Sequence, residues 1–178
     1  MEGAAAPAGT WVLLVYTVPA APSRKRATVW REVKRLGALY LRDGVCALPE
    51  AGAARAGLEA LAERVRELDG QATIVWNACL SPATAALLST EWTRSRQLEY
   101  AEVAEAAADL LRHIERETEH HAFERAELMS LNGDLARLER WLRQVIGRDY
   151  LGVGDPAPIT ATLTRCQAAL DGQAALSS

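Results

Sequence analysis

Apolar residues along this chain fall into several rhythms, and each rhythm predicts an element. From Trp11 to Val18 no charge interrupts a run rich in β-branched and aromatic residues, and Pro19 stops it, which predicts a central strand buried on both faces. Between Thr28 and Leu36 the residues Val29, Trp30, Val33 and Leu36 recur at helical spacing, with Ser23 as the expected cap and Gly37 ending the helix at positive φ. ALYL and VCAL then read as short strands separated by Arg42, Asp43 and Gly44, and Asp-Gly predicts a tight hairpin. A second amphipathic helix is expected from Ala51 to Asp69, with Leu58, Leu61, Val65 and Leu68 on one face and Gly70 closing it. ATIVWNA, 72 to 78, is the last strand.

The order βαββαβ predicts an α+β fold of ferredoxin-like plan over residues 10–80, with the first and third strands central and two helices on one face. Trp11, Trp30 and Leu36 are expected in one buried cluster. Beyond Ser81-Pro82 the pattern is helical. Tyr100, Val103, Ala107, Leu110 and Ile114 form one stripe; Leu128, Leu131, Leu135, Leu138, Leu142 and Val145 form another. Together they predict an antiparallel helical hairpin whose connection lies within Glu117 to Phe123. Asn132 and Gly133 weaken the second arm. GVGDPAP, 152 to 158, reads as a loop, and Ile159, Leu163, Cys166 and Leu170 mark a short last helix. This helical extension, 81–172, is expected to pack on the first domain, with 1–9 and 173–178 as loose termini.

At 178 residues, 49% hydrophobic and 24% charged, the composition suits one globular unit with an extension. No run reaches the roughly 18 apolar residues of a membrane span. Glu2 stands where a signal peptide would be basic, so the expected location is the cytoplasm. Cys46, Cys79 and Cys166 form no CxxC pair and read as inert buried thiols. Charge changes the picture more. Net charge is −3, yet residues 23–42 hold seven bases (Arg24, Lys25, Arg26, Arg31, Lys34, Arg35, Arg42) against one acid, Glu32. The later hairpin is acidic, with Glu99, Glu102, Glu105, Glu115, Glu117, Glu119 and Glu124.

Trp11 with LLVYTVP, then VWREVKRLGALYLRDGVCALP, and later IGRDYLG, resemble the N-terminal domain of the chromate-resistance regulator ChrB. The likeness covers most of the chain, and Arg148-Asp149-Tyr150 belongs to it. The resemblance implies a regulatory role in chromate resistance, and full-length members carry a C-terminal domain tied to chromate sensing. A module lacking that sensor is expected here, working with a chromate-sensing partner protein or domain. A more distant likeness to the small nuclease-like subunit of CRISPR adaptation implies a strand-end aspartate for a metal. Here that neighbourhood is Tyr16-Thr17-Val18-Pro19, and Thr17 supplies no carboxylate, so no enzyme and no catalytic residue is expected.

Three sets of residues remain as candidate chemistry. Arg24, Arg31 and Arg35 are spaced by seven and four, so they share a helix face with Lys34 at its edge; with Lys25 and Arg42 they could grip DNA phosphates. The plainer alternative is a solvated helix face. His113, Glu117 and His121, at i, i+4 and i+8, form a ladder of metal-ligand types with His120 nearby, although the expected helix break falls inside it, and no metal or other cofactor is assigned. Arg148 could hold an oxyanion by paired hydrogen bonds. Its plainer role is an ion pair or loop cap with Asp149. The leading expectation is a nucleic-acid-binding regulatory module acting as a homodimer; the alternative is a non-catalytic protein-interaction or oxyanion- or metal-sensing module.

Overall fold

The computed structural model describes residues 10–120 and 123–176, His120 and Leu176 by backbone alone. The expected loose leader, 1–9, and residues 177 and 178 lie outside the described residues. In chain order the elements are β1 (Trp11–Thr17), α1 (Ser23–Leu36), β2 (Leu39–Arg42), β3 (Val45–Pro49), α2 (Gly52–Glu67), β4 (Gln71–Ala78), α3 (Pro82–His120), α4 (Arg125–Gly147) and α5 (Ala157–Leu176). Two compact units divide within α3, after Arg94.

The first unit holds a four-stranded sheet in the order β2-β3-β1-β4, every neighbouring pair antiparallel. β1 and β3 are therefore central. Val12 and Leu14 of β1 stand opposite Leu48 and Cys46 of β3, and all four are fully buried. α2 packs against β1 and β4, and α1 against α2. The expectation that β1 is buried on both faces fails at its far end, because side chains alternate across a strand and the helices cover one side. Val15 is 42% exposed, and Val75 of β4, opposite Leu13, is 40% exposed.

α1 buries Val29, Val33 and Leu36, as its periodicity predicts. Trp30 is the exception, 54% exposed although Trp11 and Leu36 are buried. One residue is 100° of helical turn, so Trp30 stands on the flank of the buried stripe, and the Lys34 ammonium lies 5.9 Å over its ring. Ser23 is not the cap either. It is the first helical residue, and Pro22 occupies the N-cap position with extended backbone and no side-chain bond. At the other end Gly37 takes the left-handed conformation (φ 71°), and its N–H donates to the carbonyls of the last turn.

The hairpin turn between β2 and β3 is held against β1. Tyr16 N–H donates to the Gly44 carbonyl at 2.7 Å, and Gly44 has φ +72°. A Cβ there would stand 2.4 Å from the Tyr16 carbonyl oxygen, a backbone atom unable to swing aside. Gly44→Ala is thus expected to lose about 2–3 kcal/mol, from left-handed strain plus that clash, measurable by urea denaturation. Where α1 meets α2, a Cβ at Gly57 would lie 2.6 Å from Leu36 Cδ2, so the glycine permits close helix packing.

In the second unit, one core is shared by α3 (Tyr100, Val103, Ala107, Ile114), α4 (Leu131, Leu135, Leu142, Val145) and α5 (Ile159, Leu163, Cys166, Leu170). Both predicted stripes face it. α4 begins with a capping box in which Glu124 N–H donates to Glu127 Oε2 at 2.9 Å. It continues unbroken through Asn132 and Gly133, both of which face solvent. There their weak propensity costs only about 1 kcal/mol, against the packing of the opposite face. α5 runs past Gly172 to Leu176 rather than loosening there, since the buried Gln173 seats its last turn.

Candidate functional site

α1 carries six bases, Arg24, Lys25, Arg26, Arg31, Lys34 and Arg35, and one acid, Glu32. With Val29, Val33 and Leu36 turned inward, the same 3.6-residue repeat turns Arg24, Arg31, Lys34 and Arg35 to solvent, and all four are exposed. Arg31 Nη2 donates to Thr28 Oγ1 at 3.3 Å, and Thr28 Oγ1 donates to the Arg24 carbonyl at 2.9 Å, so the face is laced along its length. Arg35 pairs with Glu32, Nη2 to Oε2 at 2.7 Å, which neutralises part of its charge. Lys25 is drawn aside to Asp69, beyond α2, and this hydrogen bond holds the Asp69 carboxyl below its usual range. Arg42 is exposed on β2, opposite Val45.

Beside this face lies a cavity of about 570 Å³, which sequence reasoning did not find. The end of β1 supplies Tyr16 to Val18, α1 supplies Arg26 and Trp30, and the β2–β3 hairpin supplies Tyr40, Asp43 and Gly44. Arg26 and Trp30, one turn apart, occupy the flank between the buried stripe and the outer face. Across the sheet the Tyr16 and Tyr40 hydroxyls hydrogen-bond at 3.0 Å. Burial raises the pKa of both phenols; the mutual bond raises that of Tyr40 further and lowers that of Tyr16 in part. Cys79, expected to be buried, is exposed just past the end of β4, whereas Cys46 and Cys166 are buried; burial also pushes the Cys46 thiol up to about 12.

These groups hold their protons more tightly in the folded chain than in the unfolded one. Their contribution to stability is therefore complete below the ordinary values of 9.0 for the thiol and 10.0 for the phenols, and is lost as pH rises through the raised ones. Denaturation midpoints measured between about pH 8 and about pH 11 should fall with rising pH, and Tyr16→Phe should reduce the fall.

Arg148 belongs to the second unit. Its Nε donates to Glu99 Oε2 at 2.8 Å, while Arg96 Nη2 donates to Glu99 Oε1 at 3.1 Å. One carboxylate thus bridges two guanidiniums, and Arg96 is only 2% exposed. Glu99 is therefore not part of the outer acidic surface expected of the hairpin. An oxyanion reaching Arg148 would have to displace it. Asp149 accepts from the amides of Val153 and Gly154 at 3.1 and 3.0 Å, and from the Tyr100 hydroxyl, so it closes the loop before α5. A Cβ on Gly154 would overlap the Tyr100 ring, so only glycine lets the loop lie on that ring. Arg148 and Asp149 stand out in sequence; Glu99, some fifty residues away, reads there only as one acid of the hairpin, and Arg96 carries no signal of its own.

Among the described residues no group of three or more His, Cys, Asp or Glu side chains is placed to hold a metal ion. His113 and Glu117 stand one turn apart on α3, whereas His121 and the His120 side chain lie outside the described residues. Among the described residues, too, no helix is long and apolar enough to cross a membrane.

Fold and site define an α+β module with a cationic helix face and an aromatic-walled cavity beside it. The family model for the N-terminal part of protein ChrB matches residues 26–177, and the chain belongs to that family. Protein ChrB of Cupriavidus metallidurans is 41% identical over 70 residues, a stretch covering 39% of this chain and 21% of that protein. The chain thus aligns with about a fifth of that relative's length. No solved structure matches.

Proposed function

We propose that this chain is a non-catalytic regulatory module of the chromate-resistance type that binds duplex nucleic acid in the cytoplasm. Membership of the ChrB N-terminal family supports the regulatory role. The observation that carries the binding mode is the outer face of α1: Arg24, Arg31, Lys34 and Arg35 are all solvent-facing on one helix whose opposite side is fully buried. Clustered cations on a rigid element suit a phosphate backbone, because neutralising each phosphate releases condensed counterions. Arg42 extends the same charge onto β2. The βαββαβ order with sheet β2-β3-β1-β4 supports a ferredoxin-like plan for the first unit.

A gel-shift titration across salt tests the reading. Binding that weakens steeply with salt, and disappears when Arg24, Arg31 and Arg35 are replaced by alanine, is the expected result; absence of binding to any duplex at low salt rejects it. The binding form is a homodimer in this proposal. Among the described residues β2 and β4 each pair on one side only, and such edges are available to a second copy. Light scattering at micromolar concentration should give twice the chain mass, and a monomer that binds duplex at full affinity would remove the dimer.

A further inference from the structure

We propose that the cavity between α1, the end of β1 and the β2–β3 hairpin binds a single unpaired nucleotide, its phosphate on Arg26, its base against Trp30 and the base's amino group on Asp43. The cavity, about 570 Å³, falls within the range of roughly 300–1,000 Å³ typical of small-ligand sites. Its lining is chemically divided. Arg26 makes no hydrogen bond or ion pair among the described residues, so its five donors are available to an oxyanion. Trp30, one turn further along α1, exposes 54% of its surface, with the Lys34 ammonium 5.9 Å over one face of the ring and the other face left for a base. A flat ring offered to solvent beside the available Arg26 guanidinium is the arrangement on which bases stack.

The remaining walls give the site selectivity. The Tyr16–Tyr40 pair uses one hydroxyl hydrogen internally and leaves the other to donate. Asp43, on the hairpin, is exposed and likewise makes no bond among the described residues. Its carboxylate repels a second anion and accepts from an amino group. Adenine, guanine and cytosine carry such a group, and uracil does not. A simple oxyanion satisfies Arg26 and leaves the ring and the carboxylate unused, whereas a nucleotide answers all three. The same chemistry is presented by a free mononucleotide and by an unpaired nucleotide within a strand. The strand source rests on the nucleic-acid reading above; the free source does not.

The experiment is calorimetric titration of the full chain with adenosine monophosphate, uridine monophosphate, inorganic phosphate, a short single strand and the matching duplex. The expected result is binding of adenosine monophosphate, weaker binding of uridine monophosphate, and none of inorganic phosphate at the same concentration. Trp30→Ala and Arg26→Ala should each weaken it by about tenfold or more, with unchanged thermal melting because both side chains are exposed. Trp30→Phe should restore most of the affinity, and Asp43→Ala should narrow the gap between the two nucleotides. A single strand bound through Trp30 without free nucleotide identifies the strand as the source, and the converse identifies the free ligand. Binding of inorganic phosphate as tight as that of adenosine monophosphate overturns the site. So does nucleotide binding indifferent to Trp30 and Arg26, or no binding of nucleotide and single strand at all. Duplex binding that depends on Arg31 and Arg35 while both of those ligands fail leaves the outer-face reading standing and removes only the cavity site.

Discussion

Glu99→Ala is expected to cost about 3–5 kcal/mol of folding stability, the largest effect of any single substitution away from the hydrophobic cores. Glu99 receives Arg96 Nη2 on one oxygen and Arg148 Nε on the other, and its side chain is 22% exposed against 3% and 15% for the two arginines. Burial lowers the Arg96 pKa and the neighbouring Arg148 lowers it further, while the Glu99 carboxylate opposes both. Removing that carboxylate leaves two guanidiniums facing each other in a poorly hydrated site. Asp149 still favours the Arg96 charge, so compensation is partial, and that shortfall, more than the lost hydrogen bonds, sets the magnitude. Urea denaturation reads it directly. Glu99→Gln keeps an acceptor and loses the charge, so it should fall between wild type and alanine. Arg148→Ala leaves the Arg96–Glu99 pair intact and should cost less than Glu99→Ala. Equal stability of Glu99→Ala and wild type would show that the cluster is solvated and contributes nothing.

The double charge reversal Arg31→Glu, Arg35→Glu should remove duplex binding at physiological salt. If each arginine neutralises one phosphate, losing both contacts lowers the slope of log affinity against log salt by about 2, and the introduced carboxylates add repulsion. The fold should survive. Both residues are exposed, Arg35 pairs with Glu32 and Arg31 donates to Thr28 at the surface, and the cost of two acids near the C-terminal end of α1 is about 1 kcal/mol. Circular dichroism and thermal melting separate the outcomes. A variant that melts normally and fails to bind supports the interface; one that unfolds shows that these arginines stabilise the helix rather than meet a ligand.

Much of this architecture was legible before any coordinate. Alternating and continuous apolar runs located all four strands, and steps of three and four located the faces of α1, α2 and the two hairpin stripes, because burial of one face leaves a period in the chain. Asp43-Gly44 and Gly37 announced a turn and a helix end, since few residues accept the backbone angles there. The basic outer face of α1 followed from the same repeat. Trp30 misled because hydrophobicity marks it for burial while its angular position, 100° beyond Val29, places it on the flank; a composition rule has no angle in it. Ser23 misled because cap preference is weaker than the fixed geometry of the preceding proline. The face of β1 left open depends on where two helices come to rest, which no single strand encodes.

The sequence by itself determined the order and type of the elements, which side of each helix is apolar and which side is charged, because these are properties of neighbours within a turn or a strand. Tertiary structure alone decided the two sites built across distance. Tyr16 meets Tyr40 and Asp43 meets Trp30 at one cavity only when the hairpin folds back on β1. Glu99 bridges Arg96 and Arg148 only when the end of α4 returns to α3. Such contacts join residues tens of positions apart, and their energy depends on burial, a property of the assembled chain that no local pattern contains.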